Sequence, residues 1–120
     1  MKAPLVAAIM LAAWPALAEA PQTLDTICVK YGPCPLDLSA FKCSDVVSSF
    51  VRTVCYDAPK SFMVIKLNET WYPYCEIDGG TVQALISAES VGTFYNRAIR
   101  SHSGRHGPFD CRDHPMPAYP

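Results

Sequence analysis

The sequence lacks a surplus of charge of one sign and lacks a long apolar run. Ten Lys and Arg residues balance eleven Asp and Glu residues, so the formal net charge is −1. A near-neutral chain gives no sign of the broad positive field typical of nucleic-acid binding. No apolar run reaches the roughly 20 residues that a membrane-spanning helix needs, so a membrane span is not predicted.

Closely spaced cysteines are also missing. Five residues separate even the nearest pair, Cys28 and Cys34. Zinc sites and thioredoxin-like redox sites need Cys-x-x-Cys or similarly close Cys and His pairs, so we expect neither a metal nor a cofactor. An even number of cysteines in a short chain instead predicts three structural disulfides in an exported protein. The six cysteines are Cys28, Cys34, Cys43, Cys55, Cys75 and Cys111.

An export signal explains the apolar N-terminus. Lys2 precedes an apolar stretch from Leu5 to Leu17, and Ala16-Leu17-Ala18 has the small-x-small pattern of a cleavage site. We therefore expect a signal peptide over residues 1–18 and a mature chain that begins at Glu19. The mature protein is expected in the periplasm or outside the cell.

Three zones follow the predicted signal. Residues 19–47 contain prolines and a glycine that prevent a long helix or a central strand, so we expect an irregular arm, with a short helical turn near residues 36–43. Residues 48–100 are the expected folded domain. Residues 101–120 are polar and rich in proline, which predicts an irregular tail, and Cys111 indicates that a disulfide pins this tail to the domain.

Alternating apolar and β-branched residues predict three strands in the domain. The first covers residues 49–56, the second residues 63–67 and the third begins at Trp71. Short turns between them favour an antiparallel meander. Pro73 lacks an N–H group for a sheet ladder, so the third strand is expected at an edge.

Two short helices are predicted after the strands. Val82, Leu85 and Ile86 have helical spacing, and Ser90 is suited to cap a second helix that includes Phe94 and Tyr95. The predicted fold class is therefore α+β: a three-stranded antiparallel meander followed by two short helices packed on one face, with a disulfide-pinned arm and tail.

The domain zone resembles the KTSC domain, a small module named after the C-terminus of some lysyl-tRNA synthetases. The stretches that carry the resemblance are Ser48-Ser49, Val54-Cys55-Tyr56-Asp57, Tyr72-Pro73-Tyr74 and the run from Ala88 to Asn96 that leads into Ile99-Arg100. The resemblance implies the fold. It implies no activity, because the family's function is not established and nucleic-acid binding is a conjecture. The export signal, cysteines, arm and tail are departures from the plain module.

No convincing catalytic or metal-binding arrangement is visible. His102 and His106 have the i, i+4 spacing of a helical metal site, but Gly104 and Gly107 argue against a helix there. The candidates for a serine hydrolase are Ser90 or Ser101, His102 and Asp110. The chain has no Gly-x-Ser-x-Gly elbow, and a mobile tail is a poor place for a catalytic base. Asp57 and Glu89 are more simply a turn residue and a helix-surface residue. We therefore expect a non-enzymatic protein.

The candidate binding surface consists of Trp71, Arg97 and Arg100. Trp71 alternates away from Tyr72 and Tyr74, so it faces away from the helices, and tryptophan is enriched at binding hot spots. The expected partner is a peptide, a glycan or an envelope protein. Single-stranded nucleic acid is the alternative, because aromatic rings with arginines also bind it. A small hydrolase is the third hypothesis. The competing structural interpretation is that the tail covers Trp71 through Phe109 or Tyr119.

Strand geometry also predicts that one pair of cysteines does not form a disulfide. Cys55 and Cys75 belong to the first and third strands, which lie roughly 10 Å apart across the second strand. A disulfide needs Cα atoms within about 7 Å. Each of these cysteines is therefore expected to bond to the arm or to the tail.

Overall fold

A computed structural model describes residues 26–120 of the chain. The predicted signal peptide, residues 1–18, lies outside the described residues. Within the described part, no helix is both long and apolar enough to cross a membrane.

The described residues form six strands and two α-helices. The strands are β1 (Thr26–Ile27), β2 (Leu36–Asp37), β3 (Lys42–Asp45), β4 (Val51–Asp57), β5 (Phe62–Leu67) and β6 (Thr70–Tyr74). The helices are α1 (Gly79–Ile86) and α2 (Val91–Ala98). Strands β1 and β2 form a small hairpin-like sheet, and the other four strands form one antiparallel sheet in the order β3-β4-β5-β6. A short 3₁₀ turn over Leu38–Ala40 lies within the predicted helical-turn region.

The prediction of a three-stranded sheet and an irregular arm is wrong, because the arm supplies the fourth strand. Strand β3 pairs with β4, and Cys43 lies directly opposite Cys55. The sequence of β3, Lys42-Cys43-Ser44-Asp45, has no apolar alternation, so hydrophobic periodicity gives no sign of it. Its pairing partner and the disulfide fix the strand instead.

Strand β6 lies at the edge of the sheet, and the backbone around Pro73 explains why proline is tolerated. On the side away from β5, the Trp71 carbonyl accepts a hydrogen bond from the Lys30 N–H at 2.9 Å. On the same side, the Cys75 N–H donates to the Phe109 carbonyl at 2.8 Å. Because Pro73 alternates in phase with these two residues, its nitrogen also faces the open side, where no ladder bond is lost.

The two helices cover one face of the sheet. Asp78 and Ser90 cap them by accepting hydrogen bonds from the Thr81 and Thr93 backbone N–H groups. The buried core between helices and sheet consists of Val51, Val54, Met63, Ile65, Tyr74, Ile77, Val82, Leu85, Val91, Tyr95 and Ile99. This layer matches the predicted packing of helices on one face.

The opposite face of the sheet is covered by the arm and the tail, which makes the fold three-layered rather than two-layered. Val29 and Leu36 of the arm are buried against the sheet residues Phe62 and Val64. Tyr119 of the tail packs against Phe62, with ring centroids 5.6 Å apart. The sequence signal was the unbroken apolar run Phe62-Met63-Val64-Ile65 of β5, and all four of these residues are buried. A strand that is apolar on both faces requires a cover on both faces.

Three disulfides form, as predicted; one closes a loop within the arm, and the other two join the arm and the tail to the domain. They are Cys28–Cys34, Cys43–Cys55 and Cys75–Cys111, with Cα separations of 4.3, 4.0 and 4.9 Å. All six cysteines are paired. Cys55 bonds to the arm and Cys75 to the tail, so the prediction that these two do not bond to each other is confirmed.

Candidate ligand-binding cleft

A cleft of about 570 Å³ opens at the free edge of β6, between the arm and the tail. Its floor is the aromatic segment Tyr72-Pro73-Tyr74. One wall is Tyr31 of the arm, and the other is the tail, with Cys111, Arg112 and Met116. The cleft therefore exists only because two separate segments lie on either side of the same strand edge.

The arm wall is a tight loop closed by the Cys28–Cys34 disulfide. The Gly32 N–H donates to the Val29 carbonyl at 3.1 Å, and a Cβ at Gly32 would lie 2.9 Å from the Val29 side chain. Only glycine fits this close approach. The turn leaves Tyr31 with a positive φ of 64° and with 77% of its surface exposed. An aromatic ring so exposed in a rigid loop is a typical feature of a binding surface.

The tail wall is held by the Cys75–Cys111 disulfide and by a charged network around Asp110. The Asp110 carboxylate accepts from the Ser101 hydroxyl at 2.6 Å and from two guanidinium nitrogens of Arg112 at 3.0 and 2.7 Å. The Arg112 guanidinium, with help from Ser101, holds the pKa of Asp110 well below its usual range. The same hydrogen bond raises the pKa of Arg112. Asp110 is mostly buried, whereas the Arg112 side chain stays 66% exposed.

Replacing Asp110 with asparagine is expected to destabilise the protein at neutral pH. The folded-state pKa of Asp110 is depressed, so its contribution is present above the unfolded pKa of about 4 and is lost as the pH falls below that value. The difference in unfolding free energy between wild type and D110N should therefore be largest near pH 7 and shrink in acid. Urea unfolding at several pH values measures it, and a difference independent of pH would contradict the assignment.

Positive charge stands on both sides of the cleft. The Lys30 ammonium lies 5.2 Å from the ring centroid of Tyr31 and 6.0 Å from that of Tyr72. Within residues 26–120 the salt bridge of Arg112 with Asp110 is the only one at the cleft, and Lys30 forms none. The charges of Asp110 and Arg112 thus compensate each other, while the Lys30 charge has no salt-bridge partner among the described residues.

A second groove, of about 470 Å³, continues from the cleft toward α2. The two share Tyr72, Tyr74 and Ser101 as lining residues. Arg100 lines the second groove, where its guanidinium donates to the Asn96 side chain at 3.2 Å. Burial and a hydrogen bond to Tyr95 raise the pKa of Tyr74, so the Tyr74 hydroxyl stays protonated beneath both grooves.

The structure does not bring Trp71, Arg97 and Arg100 together. The Trp71 side chain is partly buried on the sheet face opposite the helices. Its backbone forms an isolated parallel β-bridge with Val29 of the arm. Arg97 is exposed on α2, and Arg100 follows that helix at the second groove. The arm and Tyr119 of the tail cover the Trp71 side of the sheet, whereas Phe109, the other predicted cover, packs with the helix-side core.

Sequence reasoning missed the cleft residues Tyr31 and Arg112, and it missed Lys30 beside them. Each lies next to a disulfide-bonded segment whose position depends on connectivity that the sequence does not define. The available signal was the sequence Lys30-Tyr31-Gly32 between Cys28 and Cys34, which places a cation and an aromatic ring in a closed loop.

The histidines do not complete a hydrolase site. Ser101 and Asp110 are in contact, but His102 lies against the Asn96 carbonyl at 3.1 Å. The hydroxyl of Ser101 also accepts from the Gly107 N–H at 2.9 Å, which is a structural role in the tail. The other histidines pair with carboxylates: His106 with Asp113, and His114 with Glu76. Across residues 26–120, no group of three or more His, Cys, Asp and Glu side chains has the arrangement of a metal site.

Comparison with known proteins places the central part of the chain in a family. The family model of the KTSC domain matches residues 47–102. These residues form a KTSC domain. A solved structure of a KTSC domain protein from Yersinia pestis is similar, with 27% identity, a TM-score of 0.49, and coverage of 51% of this chain and 87% of that chain. A search among curated proteins finds no match.

The KTSC domain supplies only part of the cleft. The floor, Tyr72 to Tyr74, lies within the matched residues, whereas Tyr31 and Arg112 lie outside them. The arm and tail therefore turn the edge strand of a KTSC domain into a walled site.

Proposed function

We propose that this protein is an exported, non-enzymatic binding module that holds a peptide, glycan or protein partner in the cleft at the edge of β6. The observation that carries the proposal is that Tyr31 and Arg112 are both exposed and line the cleft from opposite walls. A disulfide anchors each of these walls. Rigid aromatic and arginine side chains are the residue types that dominate binding energy at interfaces.

The disulfides support the proposed export. Three disulfides in a small domain indicate an oxidising environment, since thiols are kept reduced in the cytosol. Together with the sequence of residues 1–18, this supports export to the periplasm or the exterior.

Capture from an envelope extract tests the proposal. Oxidised mature protein is compared with Y31S, which removes the exposed ring, and with V47S, which changes a side chain that is 99% exposed on another surface. A partner of the cleft should be retained by wild type and V47S and lost with Y31S. Equal recovery with all three proteins would show that the cleft is not the binding site.

Single-stranded nucleic acid is the second candidate, favoured by the Lys30 ammonium over the Tyr31 and Tyr72 rings. Stacking rings with cations form a general platform for single strands. Binding of a twelve-residue oligothymidylate should then weaken steeply with salt, because phosphate contacts release counterions. The near-neutral net charge argues for the first candidate.

A further inference from the structure

The charges around the cleft point to one class of ligand. We infer that the cleft binds an acidic, extended peptide, with a carboxylate between Lys30 and Arg112 and an apolar or aromatic side chain against Tyr31 and Tyr72. This inference rests on the proposed function and names the partner class.

The unpaired charge beside the cleft is positive. Lys30 is exposed and forms no salt bridge among the described residues, whereas Asp110, the only carboxylate among the described lining residues, already accepts from Ser101 and from Arg112. The Arg112 guanidinium is exposed and retains N–H groups beyond the two that it gives to Asp110. A neutral sugar has hydroxyl groups that both donate and accept, but it has no charge to complement Lys30. A carboxylate accepts only, so it complements the cleft in charge and in hydrogen bonding.

The strand edge favours a peptide over a nucleotide chain. The arm and the tail already use the backbone groups of this edge, through the hydrogen bonds from the Lys30 N–H to the Trp71 carbonyl and from the Cys75 N–H to the Phe109 carbonyl. The Pro73 carbonyl lies between them on the same open side, and over residues 26–120 neither loop donates to it. A peptide N–H is suited to donate to it, as in recognition by strand addition. The Pro73 ring and Met116 add apolar surface for a side chain.

Fluorescence anisotropy with two labelled peptides tests the inference. The probe has the sequence Gly-Glu-Phe-Glu-Gly, and its matched control replaces both glutamates with glutamine. We expect the glutamate peptide to bind oxidised mature protein at least fivefold more tightly than the glutamine peptide. K30Q and R112Q should each reduce that preference, whereas R97Q, which removes an exposed charge on α2, should leave it within twofold.

If R112Q disturbs the tail, K30Q still tests the inference. The Lys30 side chain makes no hydrogen bond among the described residues, so K30Q should leave the fold intact. Equal binding of both peptides would overturn the inference and leave a peptide-binding cleft in place. Binding of neither peptide would also overturn it, and the capture experiment with Y31S would then decide the proposed function separately. Tighter binding of an oligothymidylate than of the glutamate peptide would overturn it in favour of nucleic acid.

Discussion

Replacing Leu36 with alanine is expected to lower the free energy of unfolding by about 2–5 kcal/mol. Leu36 lies in the arm, outside the KTSC domain, yet its side chain is completely buried beside Phe62 and Val64. A large effect is expected because the truncation would remove apolar contacts and leave a cavity on the second face of the sheet. Urea unfolding of the oxidised mature protein measures the loss.

Val47 provides the matched control. It is also apolar and close in sequence, but it is 99% exposed, so V47A should change the unfolding free energy by no more than about 0.5 kcal/mol. If L36A were as mild as V47A, the arm would not be part of the core, and the three-layer description would be wrong.

Removing the Cys75–Cys111 disulfide with serines is expected to have the second large effect. Native bridges in small exported domains contribute about 2–5 kcal/mol, and this one spans 36 residues, the longest of the three loops. Cys75 is fully buried, so the serine hydroxyl adds a desolvation cost. The tail would lose its covalent link beside Arg112, so binding in the cleft should fall together with stability.

The Cys28–Cys34 bridge is the comparison for this effect. It closes a separation of only six residues, so replacing both cysteines with serine should cost less unfolding free energy. It should nevertheless weaken ligand binding, because the closed loop holds Tyr31. The expected order of stability is wild type, then the Cys28 and Cys34 variant, then the Cys75 and Cys111 variant. The reverse order of the two variants would contradict this account.

Periodicity was sufficient to find the central strands and the helices. The alternation around Val54 and Ile65 and the capping residue Ser90 are local signals, and the structure uses them as expected. Strand β3 was beyond such reasoning, because its residues are polar and its position depends on pairing with β4. The second covering layer was also missed, although the apolar run Phe62-Met63-Val64-Ile65 of β5 indicated that both faces of this strand are covered.

The candidate site was less accessible from sequence than the fold. Strand alternation correctly turned Trp71 away from Tyr72 and Tyr74, but it contains no information about what covers the other face. The cleft is formed by Tyr31 and Arg112, which are far apart in the chain and lie in two segments that separate disulfides hold, Cys28–Cys34 and Cys75–Cys111. The exclusion of a bond between Cys55 and Cys75 succeeded because it required only strand spacing.

The most direct test of the central claim is an amide chemical-shift map of the oxidised mature protein titrated with the Gly-Glu-Phe-Glu-Gly peptide. We expect the largest changes at residues 30–32, at the β6 edge around Tyr72, and at Arg112 of the tail. Changes confined to the exposed surface of α2 around Thr93 and Arg97, with none at the β6 edge, would contradict it.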